Sequence, residues 1–178
     1  MLDNLLARGR YRRLIPQDGV DFSSNDYLGL AGSARIKRAI EDAIERGVPV
    51  GSGGSRLLRG NHAEHEALEA EAAAFFGTEA ALFFSSGFAA NGALFASLPQ
   101  RGDLVVYDEL IHASVHDGIR LGRAQSVAAA HNDANAFDDA IRDWRRNGGI
   151  GLIWIAAESL YSMDGDRAPI DGLAEIAD

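Results

Sequence analysis

The residues best suited to chemistry sit where apolar runs give way to turns. Ser85-Ser86-Gly87-Phe88-Ala89-Ala90-Asn91 follows the apolar run 80–84 and leads into small residues suited to a helix. A helix opening after such a turn presents backbone N–H groups and the positive end of its dipole, which suits a phosphate. Gly87 would let a bulky anion approach the backbone, although an ordinary strand-to-helix turn uses the same residue types. His112 follows a second apolar run, 104–107, and opens a helix with Val115, His116 and Ile119 on its face. Its imidazole could serve a ligand, or be a half-buried histidine satisfied by hydrogen bonds. Glu158 and Ser162 follow a third run, 150–157. Open parallel sheets bind ligands at this carboxyl edge, while a plain turn role before Met163-Asp164-Gly165 is the alternative for Ser162. Amine chemistry has one candidate, because Lys37 is the only lysine among 17 Lys+Arg residues. It stands beside Arg38 and within one turn of Glu41, off the apolar stripe of its helix, and reads as a solvated surface lysine.

These residues need elements to position them. Residues 2–14 read as helical, with Pro16 and Gly19 breaking the pattern. Ile36, Ala39, Ile40, Ala43 and Ile44 follow the spacing of one buried helical stripe, with Ser33 as N-cap and Gly47 at the C-terminus. Asn61 and Glu64 resemble a capping box for a helix that reaches Phe76 and stops at Gly77. Strands are predicted at 80–84, 104–107, 126–130 and 150–157, with helices at 91–98, 112–121 and 136–146 between them. The last strand is apolar without alternation, as expected when both faces are covered. The alternation predicts an α/β fold with a mostly parallel, layered sheet.

Composition narrows the function classes. At 178 residues, 47% hydrophobic and 24% charged, the chain reads as one soluble globular domain. A net charge of −9 argues against nucleic acid, and the one dense basic cluster, Arg8, Arg10, Arg12 and Arg13, is expected on a solvated helical face. The absence of cysteine excludes thiol nucleophiles, disulfides and cysteine metal sites. The pairs His62/His65 and His112/His116 have chelating spacing but lack an obvious third ligand, so no metal is expected. Asp164-Gly165-Asp166 begins like a calcium loop, but Ala168 and Ile170 cannot supply side-chain oxygens. No apolar run reaches membrane-spanning length and no signal core is present, so a cytoplasmic protein without membrane contact is expected.

Five segments occur in order: Phe22-Ser23-Ser24-Asn25-Asp26-Tyr27-Leu28-Gly29, Gly51-Ser52-Gly53-Gly54-Ser55-Arg56, Ser85-Ser86-Gly87-Phe88, Asp108-Glu109-Leu110-Ile111-His112-Ala113-Ser114 and Glu158-Ser159-Leu160-Tyr161-Ser162-Met163-Asp164-Gly165-Asp166. Together they resemble the α-oxoamine synthases, pyridoxal-phosphate (PLP) enzymes of the aminotransferase-like (type I) fold, from about Asp21 to the last residue. Five ordered motifs are far more specific than one. The resemblance implies that Ser86, Gly87, Phe88, His112, Glu158 and Ser162 contact PLP, with His112 stacked on its ring. Asn25, His112 and either Arg12 or Arg13 would face the substrate. The glycine-rich loop at 51–55 would lie at a homodimer interface.

The likeness is greatest to the member acting in biotin synthesis. It implies decarboxylative condensation of L-alanine with a pimeloyl thioester carried on coenzyme A or acyl carrier protein. A sibling using glycine or serine with another acyl-CoA shares most of these motifs. In the family the Schiff-base lysine and the aspartate at the pyridine nitrogen lie beyond the Ser-Met-Asp-Gly-Asp turn, past Asp178. Residues 170–178 also read as a helix without a C-cap. The expectation is therefore an N-terminal helical segment, 1–20, followed by an incomplete PLP-binding large domain, 21–178. Such a chain would be inactive alone, either as part of a synthase or as a non-catalytic product or regulatory partner. A nucleotide-binding module is disfavoured because the glycine-rich loop lacks GxGxxG spacing.

Overall fold

The computed structural model describes every residue except 1, 12, 15 and 17. Helix α1 spans Leu2–Ala7 and is shorter than the expected 2–14. Gly9 takes a left-handed φ of 62°, and the N–H groups of Gly9 and Arg10 turn back onto the carbonyls of Leu6 and Leu5 at 3.1 and 2.9 Å. That glycine-terminated cap closes the helix. Arg8, Arg10 and Arg13 therefore lie beyond α1 rather than on a helical face.

Helix α2, Ala34–Glu45, has the caps its residue types predict. Ser33 accepts from the Arg35 N–H at 3.3 Å. At the other end Gly47 has φ 82°, and Val48 N–H reaches Ala43 O at 3.0 Å. The apolar stripe forms but is not buried as expected. Ile36, Ile40 and Ile44 are 41%, 55% and 52% exposed and line an open groove with Val48, Pro49 and Val50. Lys37 is exposed on this helix. A π-helical turn follows at Arg56–Gly60.

Two compact units divide the chain, Met1–Ala63 and Glu64–Asp178, whereas the sequence reading divides it after residue 20. The second begins within α3, Ala63–Phe76, which ends at Gly77 with φ 67°. Residues 80–84, expected as a strand, lie in no strand of the described residues. The Phe83 N–H donates to the Glu69 carboxylate at 2.8 Å rather than to a neighbouring strand among the described residues. Helix α4 is Gly87–Ser97. There follow β1 (Leu104–Asp108), α5 (Ala113–Leu121), β2 (Gln125–Ala129), α6 (Ala134–Arg146), β3 (Ile153–Ala156) and α7 (Ile170–Ala177).

The strands form a parallel sheet in the order β2-β1-β3, with Val106 opposite both Val127 and Ile155. Alternation along β1 divides the core. Leu104 and Val106 pack with Phe137 of α6 and Leu173 of α7 on one face. Val105 packs with Ile111 and Val115 of α5 on the other. This layered α/β arrangement has the predicted class, but β3 is shorter than 150–157 and is only partly buried. Ile150 and Leu152, which precede β3, are 93% and 67% exposed, and among the described residues β3 pairs only with β1. No helix among the described residues is long and apolar enough to cross a membrane.

Helices α4 and α5 approach closely at Gly118. A Cβ there would stand 2.9 Å from Phe95 Cβ and 3.0 Å from Asn91 O. Gly118→Ala is therefore expected to destabilise the fold by about 1 to 3 kcal/mol through overpacking. Gly92→Ala, whose Cβ meets nothing within 4 Å, gains about 0.5 to 1 kcal/mol of helix stability instead. Urea unfolding of the two variants checks the pair of opposite signs.

Candidate functional site

The carboxyl ends of all three strands point to one edge of the sheet, and each is followed by a polar side chain. β1 ends at Asp108 and turns into His112, β2 leads to His131, and β3 leads to Glu158. Brought together this way, residues far apart in sequence share the edge where open parallel sheets bind ligands.

His112 caps α5. Its ring Nδ1 accepts from the Ser114 N–H at 3.2 Å and lies 2.7 Å from Ser114 Oγ. Ser114 is fully buried, and its Oγ accepts from Asn91 Nδ2 of α4 at 3.0 Å. The chain of donors runs from Asn91 through Ser114 to His112 Nδ1, so the neutral ring carries its proton on Nε2. The His112 backbone N–H donates to the Glu158 carboxylate. Phe88 meets the His112 ring edge-on, with centroids 6.5 Å apart.

Phe88 belongs to the first turn of α4, whose N-cap is Ser86. The Ser86 hydroxyl accepts from the Ala89 N–H at 3.1 Å, as the residue type predicts. The N–H groups of Gly87 and Phe88 begin the helix and have no intrahelical acceptor. A Cβ at Gly87 would meet nothing within 4 Å, so the approach to these donors is open. This end of α4 can hold a phosphate beside an exposed, flat imidazole.

Asp108 is 1% exposed. Burial pushes its carboxyl up, but hydrogen bonds from the Asn132 N–H, His131, the Leu110 N–H and Tyr161 outweigh it and hold the group below the usual range. His131 is raised by its hydrogen bonds to Asp108 and Asp166. Burial, with the hydrogen bond to Asp108 adding, pushes the Tyr161 phenol up to about 12, so it stays a donor. The Tyr161 hydroxyl also accepts from the Glu158 N–H at 3.3 Å.

The structure thus brings Phe88, His112 and Glu158 together, with Ser86 and Gly87 on the same helix turn as Phe88. Ser162 is exposed on the turn after Glu158, which Tyr161 N–H to Asp166 O and Gly165 N–H to Tyr161 O close at 2.9 Å each. Asn25 and Arg13 belong to the first compact unit. Asn25 is exposed in a turn where Asp26 accepts from the Leu30 and Ala31 N–H groups, and Arg13 lies 5.6 Å over the Tyr11 ring. Arg12 lies outside the described residues. Sequence reasoning missed Asn91, Ser114, His131 and Tyr161. For His131 a signal existed, since a histidine directly after a predicted parallel strand falls at the ligand-binding edge.

Residues 17–178 match the family described as aminotransferase class I and II. The chain is 44% identical to the 8-amino-7-oxononanoate synthase of Emericella nidulans, over 93% of this chain and 42% of that protein. To the enzyme of that name from Geobacter sulfurreducens it is 46% identical, over 86% of this chain and 38% of that one. Among solved structures, serine palmitoyltransferase from S. paucimobilis with a bound PLP–myriocin aldimine gives a TM-score of 0.76 at 30% identity, covering 87% of this chain and 38% of that one. The 8-amino-7-oxononanoate synthase of Francisella tularensis gives 0.70 at 31% identity, covering 88% and 42%. The chain spans less than half the length of each of these proteins.

Proposed function

Since the chain belongs to the aminotransferase class I and II family, we propose that it forms the PLP-binding part of an 8-amino-7-oxononanoate synthase. The activity is the decarboxylative condensation of L-alanine with a pimeloyl thioester on coenzyme A or acyl carrier protein, in a homodimer. The observation that carries this reading is His112 at the carboxyl end of β1, tied to Glu158 and facing Phe88 at the start of α4.

The donor set fits the cofactor. A helix N-terminus with an open glycine suits a phosphate, and the exposed imidazole suits a flat ring. When bound, PLP supplies the electron sink that makes an amino-acid α-carbon nucleophilic. Ser86, Gly87 and Phe88 would hold its phosphate. His112 would lie against the ring, its plane fixed by Ser114 and Asn91 and its Nε2 proton left to face the substrate carboxylate. Glu158 accepts from the His112 backbone N–H, and Ser162, exposed on the adjoining turn, would contact the cofactor in this reading. Asn25 and Arg12 or Arg13 are the substrate-side residues in this reading.

A second reading, a sibling enzyme using serine or glycine, is favoured by the higher TM-score to serine palmitoyltransferase. Identity of 44% to the Emericella nidulans enzyme weighs for alanine. The test is carbon dioxide release by a full-length enzyme carrying this segment, offered alanine with pimeloyl-CoA or serine with palmitoyl-CoA. Alanine-dependent release supports the proposal, and release only with serine replaces it. The 178-residue chain, whose one lysine is the exposed Lys37, is expected to release none. Turnover by that chain would show that the reaction needs no further lysine.

A further inference from the structure

We propose that His131, held as an imidazolium between Asp108 and Asp166, is a positioning residue that locks the two turns carrying His112 and Glu158. The proposal rests on the functional reading above only for what those turns do. The lock itself stands on geometry. His131 Nδ1 lies 2.8 Å from Asp108 Oδ1, and Nε2 lies 2.7 Å from Asp166 Oδ2. An ionised carboxylate only accepts, so a ring with a carboxylate at each nitrogen needs a proton on both. The Asn132 side-chain nitrogen also lies 3.2 Å from Nε2, but a neutral ring accepting there would set the bare Nε2 lone pair against the Asp166 carboxylate at 2.7 Å, which favours the doubly protonated ring.

The surrounding groups favour the cation. From the β1 side come Asp108 and Glu109, the latter accepting the His131 backbone N–H at 3.2 Å. From the turn after β3 come Asp166 and Tyr161, whose ring meets the imidazole edge-on at 4.6 Å, with Glu158 behind the Tyr161 hydroxyl. Asn132, at a left-handed φ of 55°, donates its backbone N–H to Asp108 Oδ2 at 2.9 Å and its side chain to Asp166 Oδ2 at 2.6 Å. Asp166 Oδ1 is buried without a hydrogen-bond partner among the described residues. The carboxylates hydrogen-bonded to the His131 ring belong to Asp108 and Asp166, and a protonated His131 compensates them.

Each carboxylate organises one arm of the site. Asp108 Oδ1 also accepts from Leu110 N–H at 2.9 Å, which shapes the turn into His112. The Asp166 carbonyl accepts from Tyr161 N–H, and the Tyr161 hydroxyl holds the Glu158 N–H. The two arms meet again where Glu158 accepts from His112. Because the folded pKa of His131 is raised, the lock is intact below the ordinary histidine value. It is lost as pH rises through the folded value.

The test uses the full-length protein with 15N-labelled histidine, together with hydrogen exchange across residues 108–112 and 158–166. At pH 6.5, the ordinary histidine value, most of His131 is expected to carry protons on both ring nitrogens, because its pKa is raised. In His131→Gln, both segments should exchange about tenfold faster or more, the loss of one charge-assisted hydrogen bond, while α6 is unchanged. The unsubstituted protein should acquire the same exchange, corrected for the intrinsic rate, once pH passes the His131 titration. A ring mostly neutral at pH 6.5, or exchange indifferent to both pH and the substitution, overturns the proposal. If His131→Gln does not fold, ring protonation and the pH series in the unsubstituted protein decide alone. Neither readout needs a cofactor, so a protein that passes both yet takes up no PLP fails the functional reading and keeps the lock.

Discussion

Replacing His112 with alanine in a full-length enzyme carrying this segment is expected to lower turnover by about 10²-fold, the order of loss when reacting groups are misplaced by roughly 1 Å. The ring contributes twice. In the proposed reading it would stack on a flat cofactor, worth about 0.5 to 1.5 kcal/mol, and its Nδ1 caps α5, so alanine also loosens the helix start that sets the turn from β1. Cofactor retention should weaken along with turnover. His116→Ala is the control: its ring packs edge-on against Tyr107 at 5.1 Å, so that substitution should lower stability and leave turnover unchanged. Steady-state kinetics and cofactor absorbance after dialysis measure both variants. Equal and mild effects at the two histidines would mean that His112 is only a helix cap.

Asp108→Asn is expected to cost about 3 to 5 kcal/mol of folding stability, because it removes one partner of a buried charge pair. The carboxylate is 1% exposed and receives hydrogen bonds from Leu110, His131 and Asn132. Its folded pKa lies below the ordinary value of 3.8. The stability it contributes is therefore fully present above that value and is lost as pH falls through the folded one. Urea unfolding at pH 7, 5 and 3 should show the deficit of the asparagine variant narrowing as the unsubstituted protein is acidified. A constant deficit at all three values would assign the loss to packing rather than charge.

Local signals were legible wherever a short stretch decided its own conformation. Ser33 and Gly47 bound α2 because their groups satisfy or terminate a helix from adjacent positions. Ser86 and His112 open helices for the same reason. β1 and β2 formed within one or two residues of their expected bounds. Gly9, by contrast, ended α1 after six residues although apolar and basic residues continue past it, and residues 80–84 formed no strand although their composition suits one. A strand is a property of a pair of backbones, and no described residue pairs with that run.

The sequence alone determined the α/β class, the phosphate-suited turn at Ser86-Gly87 and the placement of His112 and Glu158 after apolar strands, because these depend on neighbours within a turn or two. Only the tertiary structure decided that Asn91 and Ser114 set the His112 tautomer, and that His131 joins Asp108 to Asp166. Those partners are 23 and 35 residues from His131. They meet because parallel pairing in the order β2-β1-β3 aligns the carboxyl ends of three strands at one edge. No local periodicity carries that order, since it follows from which hydrophobic faces cover which.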